Sequence, residues 1–159
     1  MIVVSDTSPL HYLILIGDIE VVPRIVNEVI IPAVVFRELN AEKTPQQIKT
    51  YLETLPAWLT IADDTGIIDD ELAEIDPGER EAILLTEQLS ADALLIDDKA
   101  GREIAESRGI KILGTLGLLE IAADRGLLNF AQSLTKMKHA GFFISRSLEK
   151  DFLSRRGVQ

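Results

Sequence analysis

Short runs of apolar residues alternate along the chain with segments of helical periodicity. The runs are rich in Val, Ile and Leu, as is typical of strands buried on both faces of a parallel sheet, and they lie at residues 2–5, 29–31, 59–62, 93–96 and 110–113. Helices are predicted at residues 9–16, 18–27, 32–39, 45–54, 79–89, 99–108, 116–125, 129–138 and 146–155. This alternation predicts an α/β fold, a three-layer α/β/α sandwich with a mostly parallel central sheet.

Local signals set several boundaries of these elements. Ser8 is a natural N-cap, and Pro9 suits the first position of the helix that Gly17 ends. The acidic, aperiodic stretch 63–76 predicts a loop, after which a Pro-Gly pair introduces the next helix. The length of 159 residues predicts a single domain, with a core at residues 1–125 and a C-terminal helical extension at residues 126–159.

The charge is distributed unevenly. The net charge of −10 argues against a nucleic-acid partner when the chain is taken as a whole. Residues 1–98, however, contain 5 Lys and Arg against 20 Asp and Glu, whereas residues 99–159 contain 11 against 6. The basic last third could hold a phosphate backbone, and a solvated helical surface is the alternative explanation.

Several classes of site are excluded by what the sequence lacks. It contains no cysteine, which rules out disulfides, thiolate metal sites and cysteine nucleophiles. It has no P-loop and no complete dinucleotide-binding motif, and neither histidine accompanies a serine–acid pattern. Because the N-terminus has no basic segment and the apolar run at 10–16 is shorter than a membrane span, we expect a cytoplasmic protein with no membrane partner.

Carboxylates stand where four apolar segments meet solvent. Asp6 follows the first strand, Asp97 and Asp98 follow the strand at 93–96, and Glu38 and Glu79 lie on helices beside apolar residues. Ligands of open α/β sheets bind outside the carboxyl ends of the strands, so these acids could share one crevice. Each acid could instead be a helix cap or a surface residue.

Several carboxylates in one crevice would need a cation. Two of them about 4 Å apart repel by about 4 kcal/mol at an effective dielectric of about 20, and a domain's total stability is only about 5–15 kcal/mol. Ligation by oxygen alone favours Mg²⁺ or Mn²⁺. Such an ion activates a bound water toward a phosphate, so the pattern favours metal-dependent phosphodiester chemistry with one carboxylate as the base.

The acidic segments resemble the motifs of PIN domains, specifically of short proteins related to the VapC-type toxin ribonucleases. The resemblance rests on segments 3–10, 34–39, 77–83, 94–99 and 112–115, which follow the family's order within residues 1–125. It implies a Mg²⁺ or Mn²⁺ site of acids and an endoribonuclease that cleaves RNA, the toxin component of a toxin–antitoxin system. It also implies an antitoxin protein as a partner and a homodimer.

The resemblance further implies roles for individual residues. Asp6, Glu38, Glu79 and Asp98 would be the catalytic acids and would bind the metal, and Asp97 would either add a ligand or cap the next helix. The supporting groups would be Ser8, Glu81 and Thr115. Apart from the resemblance, Lys99 and Arg102 lie within one turn after Asp98 and could support the site by contacting phosphates, and a solvated helix face explains them equally well.

Two positions depart from the family's pattern. The third acid is usually an aspartate within a helix, and here the choice lies between Glu79 and Glu81; we favour Glu79 because it stands at the helix entrance. The fourth motif usually reads Thr-x-Asp. Here Ile96 occupies the position of the threonine, two residues before Asp98, so the hydroxyl is missing. This loss supports a second hypothesis, a catalytically weak or inactive PIN fold that binds RNA or protein. A third hypothesis is a phosphorylated receiver domain, but no aspartate of the sequence can be assigned as its phospho-acceptor.

Overall fold

The computed structural model describes residues 1–157, whose five strands form one sheet. The strands are β1 (Ile2–Ser5), β2 (Glu28–Pro32), β3 (Leu59–Ala62), β4 (Ala93–Leu95) and β5 (Ile112–Leu113). They follow the order β3-β2-β1-β4-β5, and every pairing is parallel. The predicted α/β sandwich is confirmed, with a sheet that is parallel throughout the described residues.

The helices connect and cover the strands. They are α1 (Thr7–Leu15), α2 (Val22–Ile25), α3 (Ala33–Leu39), α4 (Gln46–Leu52), α5 (Pro77–Leu89), α6 (Lys99–Ser107), α7 (Thr115–Asp124), α8 (Phe130–His139) and α9 (Arg146–Arg155). Two short 3₁₀ helices lie at Ile19–Val21 and Asp70–Leu72. Within residues 1–157, no helix has both the length and the apolar character to cross a membrane.

The sheet is buried on both faces because its strands direct apolar side chains both ways. On β1, Val3 belongs to a large hydrophobic cluster with residues of α1, α3, α4 and α7, whereas Val4 belongs to a smaller cluster with residues of α5 and β4. Phe130 of α8 and Phe152 of α9 pack in the large cluster, with their ring centroids 5.6 Å apart. The division into a core and a C-terminal extension stays a prediction.

Three predicted boundaries are wrong. The helix α1 begins at Thr7 with Asp6 at its N-cap position, so Ser8 is not the cap and lies inside the helix. The helix predicted at 18–27 is a 3₁₀ turn followed by the short α2, because Val26 turns to an extended conformation to enter β2. The strand predicted at 110–113 contains only β5, because the N–H of Ile110 bonds back to the end of α6.

The order of the strands places a topological switch point between β1 and β4. Strands β2 and β3 lie on one side of this pair and β5 lies on the other. Ser5 and Leu95, the last residues of β1 and β4, are paired in register. The crevice outside these two carboxyl ends is the position where open α/β sheets bind ligands.

Candidate metal centre

Three carboxylates meet beside the switch point. Asp6, Glu38 and Asp76 each place one carboxylate oxygen within 4.8 Å of the others. Asp6 follows β1 directly, Glu38 lies near the end of α3, and Asp76 stands at the N-cap of α5. The fold therefore joins two of the sequence-predicted acids with one that was not predicted.

Asp6 is the buried member of this cluster. Its residue is 5% exposed, and its Oδ1 has no hydrogen-bond partner among the described residues. Burial raises the pKa of Asp6 to about 7, and the nearby carboxylates of Glu38, Asp76 and Asp97 contribute to the increase. A buried carboxylate oxygen without a donor is unfavourable for folding, and a bound cation would satisfy it.

Glu38 is held by Thr7 and Gly78. Oγ1 of Thr7 donates a hydrogen bond to Oε2 of Glu38. The same carboxylate lies against Gly78, where a Cβ would stand 2.7 Å from Oε1 and 2.8 Å from Oε2. Burial raises the pKa of Glu38, and the carboxylate of Asp76 adds to the effect. Only a residue without a side chain lets Glu38 approach the first turn of α5 so closely.

Asp76 serves both the cluster and the helix that follows it. Its Oδ1 accepts a hydrogen bond of 2.9 Å from the N–H of Gly78, which caps α5. Pro77 occupies the first helical position, where its missing N–H is not needed. An Asp-Pro pair is a recognisable start signal for a helix, and it was the only sign of Asp76 in the sequence.

Glu79 faces the acidic cluster. Burial raises the pKa of Glu79 to about 8, and the carboxylates of Asp98 and Asp6 are the next largest causes. Its carboxylate also lies beside Gly101 of α6, where a Cβ would stand 3.4 Å from Oε2. Glu79 therefore lies near both the three-carboxylate cluster and Asp98.

Glu81 points elsewhere. It is 7% exposed, and its carboxylate accepts hydrogen bonds from Oγ1 of Thr65 at 2.9 Å and from the N–H of Gly66 at 3.2 Å. Residues two apart on a helix lie on nearly opposite faces, so Glu79 and Glu81 cannot both face the crevice. Glu81 anchors the acidic loop between β3 and α5.

Asp97 and Asp98 follow β4 but have different partners. Oδ2 of Asp97 accepts hydrogen bonds from Oγ of Ser8 at 2.9 Å and from Oγ1 of Thr115 at 2.7 Å. Its Oδ1 accepts a third, of 2.8 Å, from the N–H of Thr115. Asp98, and not Asp97, caps α6 by accepting a hydrogen bond of 3.2 Å from the N–H of Gly101. Asp97 thus ties the end of β4 to the starts of α1 and α7.

The two basic residues that were predicted to support the site lie on α6. Lys99 is exposed at the first position of this helix. Arg102 turns back, and its Nη1 donates a hydrogen bond of 2.9 Å to the carbonyl oxygen of Ile96. The side chain of Ile96 is fully buried in the smaller hydrophobic cluster. The position that carries a hydroxyl in the family's pattern is therefore part of the core.

The sequence matches a known family along almost its whole length. The matching family model is described as DUF3368, a PIN domain, and it matches residues 2–157. The chain belongs to this PIN-domain family. The resemblance stated from the motifs is confirmed, and the fold is of the nuclease type that PIN domains share.

A solved structure supports the same fold. A PilT N-terminus domain protein from the hyperthermophilic archaeon Sulfolobus solfataricus is similar to this PIN domain with a TM-score of 0.55. The two are 16% identical, and the match covers 77% of this chain and 93% of that chain. An identity this low shows the shared fold alone. Comparison with curated proteins gave no match.

The acids of this PIN domain fit a divalent cation. The donor set is made of carboxylate oxygens, which hard cations prefer. One of these oxygens, Oδ1 of Asp6, is buried and lacks a donor among residues 1–157. Burial and mutual repulsion raise the pKa values of Asp6, Glu38 and Glu79 together. The arrangement is thus one that a positive charge would stabilise.

Proposed function

We propose that this PIN domain is a Mg²⁺- or Mn²⁺-dependent endoribonuclease that cleaves RNA phosphodiester bonds. The observation that carries the proposal is the meeting of Asp6, Glu38 and Asp76 at the carboxyl ends of β1 and β4, with Oδ1 of Asp6 buried and without a donor among the described residues. The nuclease-type fold supports hydrolysis of a phosphodiester. The choice of RNA as substrate rests on the resemblance to VapC-type toxins.

The carboxylates would have two roles in such a site, metal binding and proton transfer. Asp6, Glu38 and Asp76 would hold the cation, because their oxygens are the ones gathered within 4.8 Å. When bound, the cation supplies a water of lowered pKa and neutralises charge on the leaving oxygen. Glu79 and Asp98 form the adjoining edge of the crevice, where a carboxylate is available to accept a proton.

Asp97 positions the site without belonging to the cluster of three. Its three hydrogen bonds to Ser8 and Thr115 hold the end of β4 beside the start of α1. These hydroxyls come from α1 and α7, whereas the family's pattern supplies one within its fourth motif. On α6, Lys99 and Arg102 would contact the phosphates that flank the scissile bond.

We extend the proposal to the toxin component of a toxin–antitoxin system in the cytoplasm. A nuclease that acts on cellular RNA needs restraint, and an antitoxin that covers the acidic crevice would supply it. A homodimer is the proposed state of the free protein. A short adjacent reading frame for a small DNA-binding protein would support the pairing.

Cleavage of a labelled single-stranded RNA tests the enzymatic proposal. We expect cleavage with Mg²⁺ or Mn²⁺, none with excess EDTA, and loss of activity in Asp6→Asn. Thr135→Val, which alters an exposed hydroxyl of α8, is the control and should cleave like the wild type. Activity that survives both the chelator and Asp6→Asn would exclude the proposed site.

The second candidate is a PIN fold that binds RNA or a protein without cutting. Ile96 favours it, because this buried side chain replaces the hydroxyl that accompanies the fourth acid in the family's pattern. Tight RNA binding without cleavage under Mg²⁺, Mn²⁺ or Co²⁺ would support this alternative. Ile96→Thr would then be the informative variant, since it restores the pattern.

A further inference from the structure

A groove of about 370 Å³ adjoins the acidic crevice. Asp97 and Arg102 line it on the side of the crevice, and aromatic residues from the segment before α9 line it elsewhere. Gly114 and Gly117 also contribute, so part of the wall is main chain without side chains. Asp97 lines the groove and its charge also acts on Asp6, so the groove lies next to the candidate metal centre.

Phe143 is the unexplained feature of this groove. It is 87% exposed, whereas the neighbouring Phe142 is partly buried and packs edge to face on Tyr12 with a centroid distance of 5.2 Å. Phe142 therefore anchors the segment to the core, and the fold makes no use of the Phe143 ring. Leu148, 44% exposed, lines the same groove.

The charges along the groove suit a polyanion. Nη1 of Arg102 is engaged by a carbonyl oxygen, and the remaining N–H groups of this guanidinium have no partner among residues 1–157. Glu120 also lines the groove, but Arg155 neutralises it with an ion pair of 3.1 Å. Beyond Asp97, the groove therefore presents an available guanidinium and a compensated carboxylate.

We infer that this groove binds the nucleotide next to the scissile phosphate of a single-stranded RNA, with its base stacked on Phe143 and its phosphate on Arg102. The inference rests on the proposed function, since it assigns the substrate's path out of that site. The groove lies next to the acids and offers one group for each part of a nucleotide. The guanidinium of Arg102 suits the phosphate, the exposed main chain at the two glycines suits the sugar, and the ring of Phe143 suits the base. Unpaired bases stacked on aromatic side chains are the usual mode of single-strand recognition.

Binding and cleavage by Phe143→Ala and Phe143→Trp test the inference. The probes are a fluorescein-labelled single-stranded RNA decamer and the same decamer made abasic throughout, at one fixed salt concentration. Phe143→Ala should bind the RNA about tenfold more weakly and raise KM more than it lowers kcat, because one stacked base is lost. Phe143→Trp should retain affinity, and the abasic decamer should not distinguish the variants. Ile68→Ala is the control, because it removes another highly exposed apolar side chain from outside the groove.

Tryptophan fluorescence detects RNA in the groove without relying on RNA cleavage. Trp58 is the only tryptophan of the chain, so the double variant Trp58→Phe, Phe143→Trp places a single reporter in the groove. Its fluorescence should be quenched by the RNA decamer and not by the abasic decamer. Quenching in a protein that never cleaves would overturn the proposed cleavage, and of this inference it would leave only the binding of a single-stranded nucleotide in the groove.

Two results would overturn the inference itself. One is wild-type affinity and KM in Phe143→Ala for an RNA that the wild type cleaves. The other is a change from dimer to monomer in sedimentation equilibrium of Phe143→Ala with unchanged RNA affinity. That second result would show that another copy of the chain covers the groove.

Discussion

The carboxylate of Glu38 lies directly on the main chain of Gly78. A Cβ at residue 78 would stand 2.7 Å from Oε1, closer than carbon and oxygen atoms pack. The contact brings a negative charge to the first turn of α5, where the helix dipole and the free N–H groups favour it. It also fixes the distance between α3, which carries Glu38, and α5, which begins after Asp76.

Gly78→Ala should therefore weaken metal binding by about tenfold or more, because the added methyl group displaces Glu38 from the other two carboxylates. Isothermal titration with Mn²⁺ measures the effect. Gly117→Ala is the matched control, since its Cβ meets only the flexible end of Leu113 at 3.0 Å. Equal affinity in Gly78→Ala and the wild type would show that Glu38 is not a ligand.

The stability of the metal-free protein should fall as the pH rises through neutrality. The pKa of Asp6 is about 7 in the folded protein against 3.8 for an ordinary aspartate, because burial disfavours the charged form. Between these values the folded state binds the extra proton, so the free energy of unfolding decreases with pH. At about 1.4 kcal/mol per pKa unit, this carboxyl accounts for about 4 kcal/mol between pH 4 and 8.

Urea unfolding in EDTA at pH 5 and pH 8 checks this prediction. The wild type should be more stable at pH 5, and Asp6→Asn should reduce the difference because the amide does not titrate. An equal difference in both proteins would assign the pH dependence to other groups.

A divalent cation should restore stability at high pH. A ligand at about 100 times its Kd stabilises the folded state by about 2.7 kcal/mol when the unfolded chain does not bind it. The rise in Tm with Mn²⁺ should be larger at pH 8 than at pH 5, because protons compete for the same carboxylates. A rise of the same size in Asp6→Asn would place the cation elsewhere on the protein.

Glu79→Gln and Glu81→Gln should separate function from stability. Glu79→Gln removes a carboxyl group that can accept a proton beside Asp98 and Asp6, so it should lower RNA cleavage at least tenfold with little loss of stability. Glu81→Gln weakens the buried hydrogen bonds to Thr65 and Gly66 and should cost about 1–3 kcal/mol while cleavage persists below Tm. Urea unfolding and a cleavage assay on both variants test this prediction. Loss of cleavage in Glu81→Gln together with loss of stability in Glu79→Gln would identify Glu81 as the functional acid.

The hydroxyls that donate to Asp97 should matter although they lie outside the cluster of three. Ser8→Ala and Thr115→Val each remove one hydrogen bond to Asp97, and loss of such a positioning bond typically lowers activity by 10- to 100-fold. Thr115→Ser, which keeps the hydroxyl, should restore most of the rate. If all three variants cleave at the wild-type rate, the role of Asp97 is purely structural.

The sheet and the aspartates at its strand ends could be predicted from the sequence because both are local signals. A short run of apolar residues marks a strand wherever it lies, and the aspartates at positions 6 and 97–98 follow two such runs. The neighbours of each strand are not a local property. Periodicity does not state that β1 lies between β2 and β4, so the meeting of the acids stayed a hypothesis until the fold was known.

Asp76 and Ser8 show what local patterns leave out. Asp76 ends an aperiodic acidic stretch, where many carboxylates look alike and a cap is explanation enough. Its proximity to Glu38 depends on how α3 and α5 pack, which involves residues far apart in the chain. Ser8 looked like a helix cap because the rule for caps considers only adjacent residues, whereas its actual partner, Asp97, is 89 positions away.

The central position of β1 has a consequence for synthesis on the ribosome. The first strand to emerge can pair with β2 once β2 has been made, but its other edge stays open until β4 has been made. Until then the chain has Asp6 without Asp97 and Asp98, and pairing across so long a separation in sequence is slow to form. A nascent chain therefore lacks a complete acidic crevice for most of its translation, so the proposed ribonuclease activity would arise only after most of the messenger has been translated.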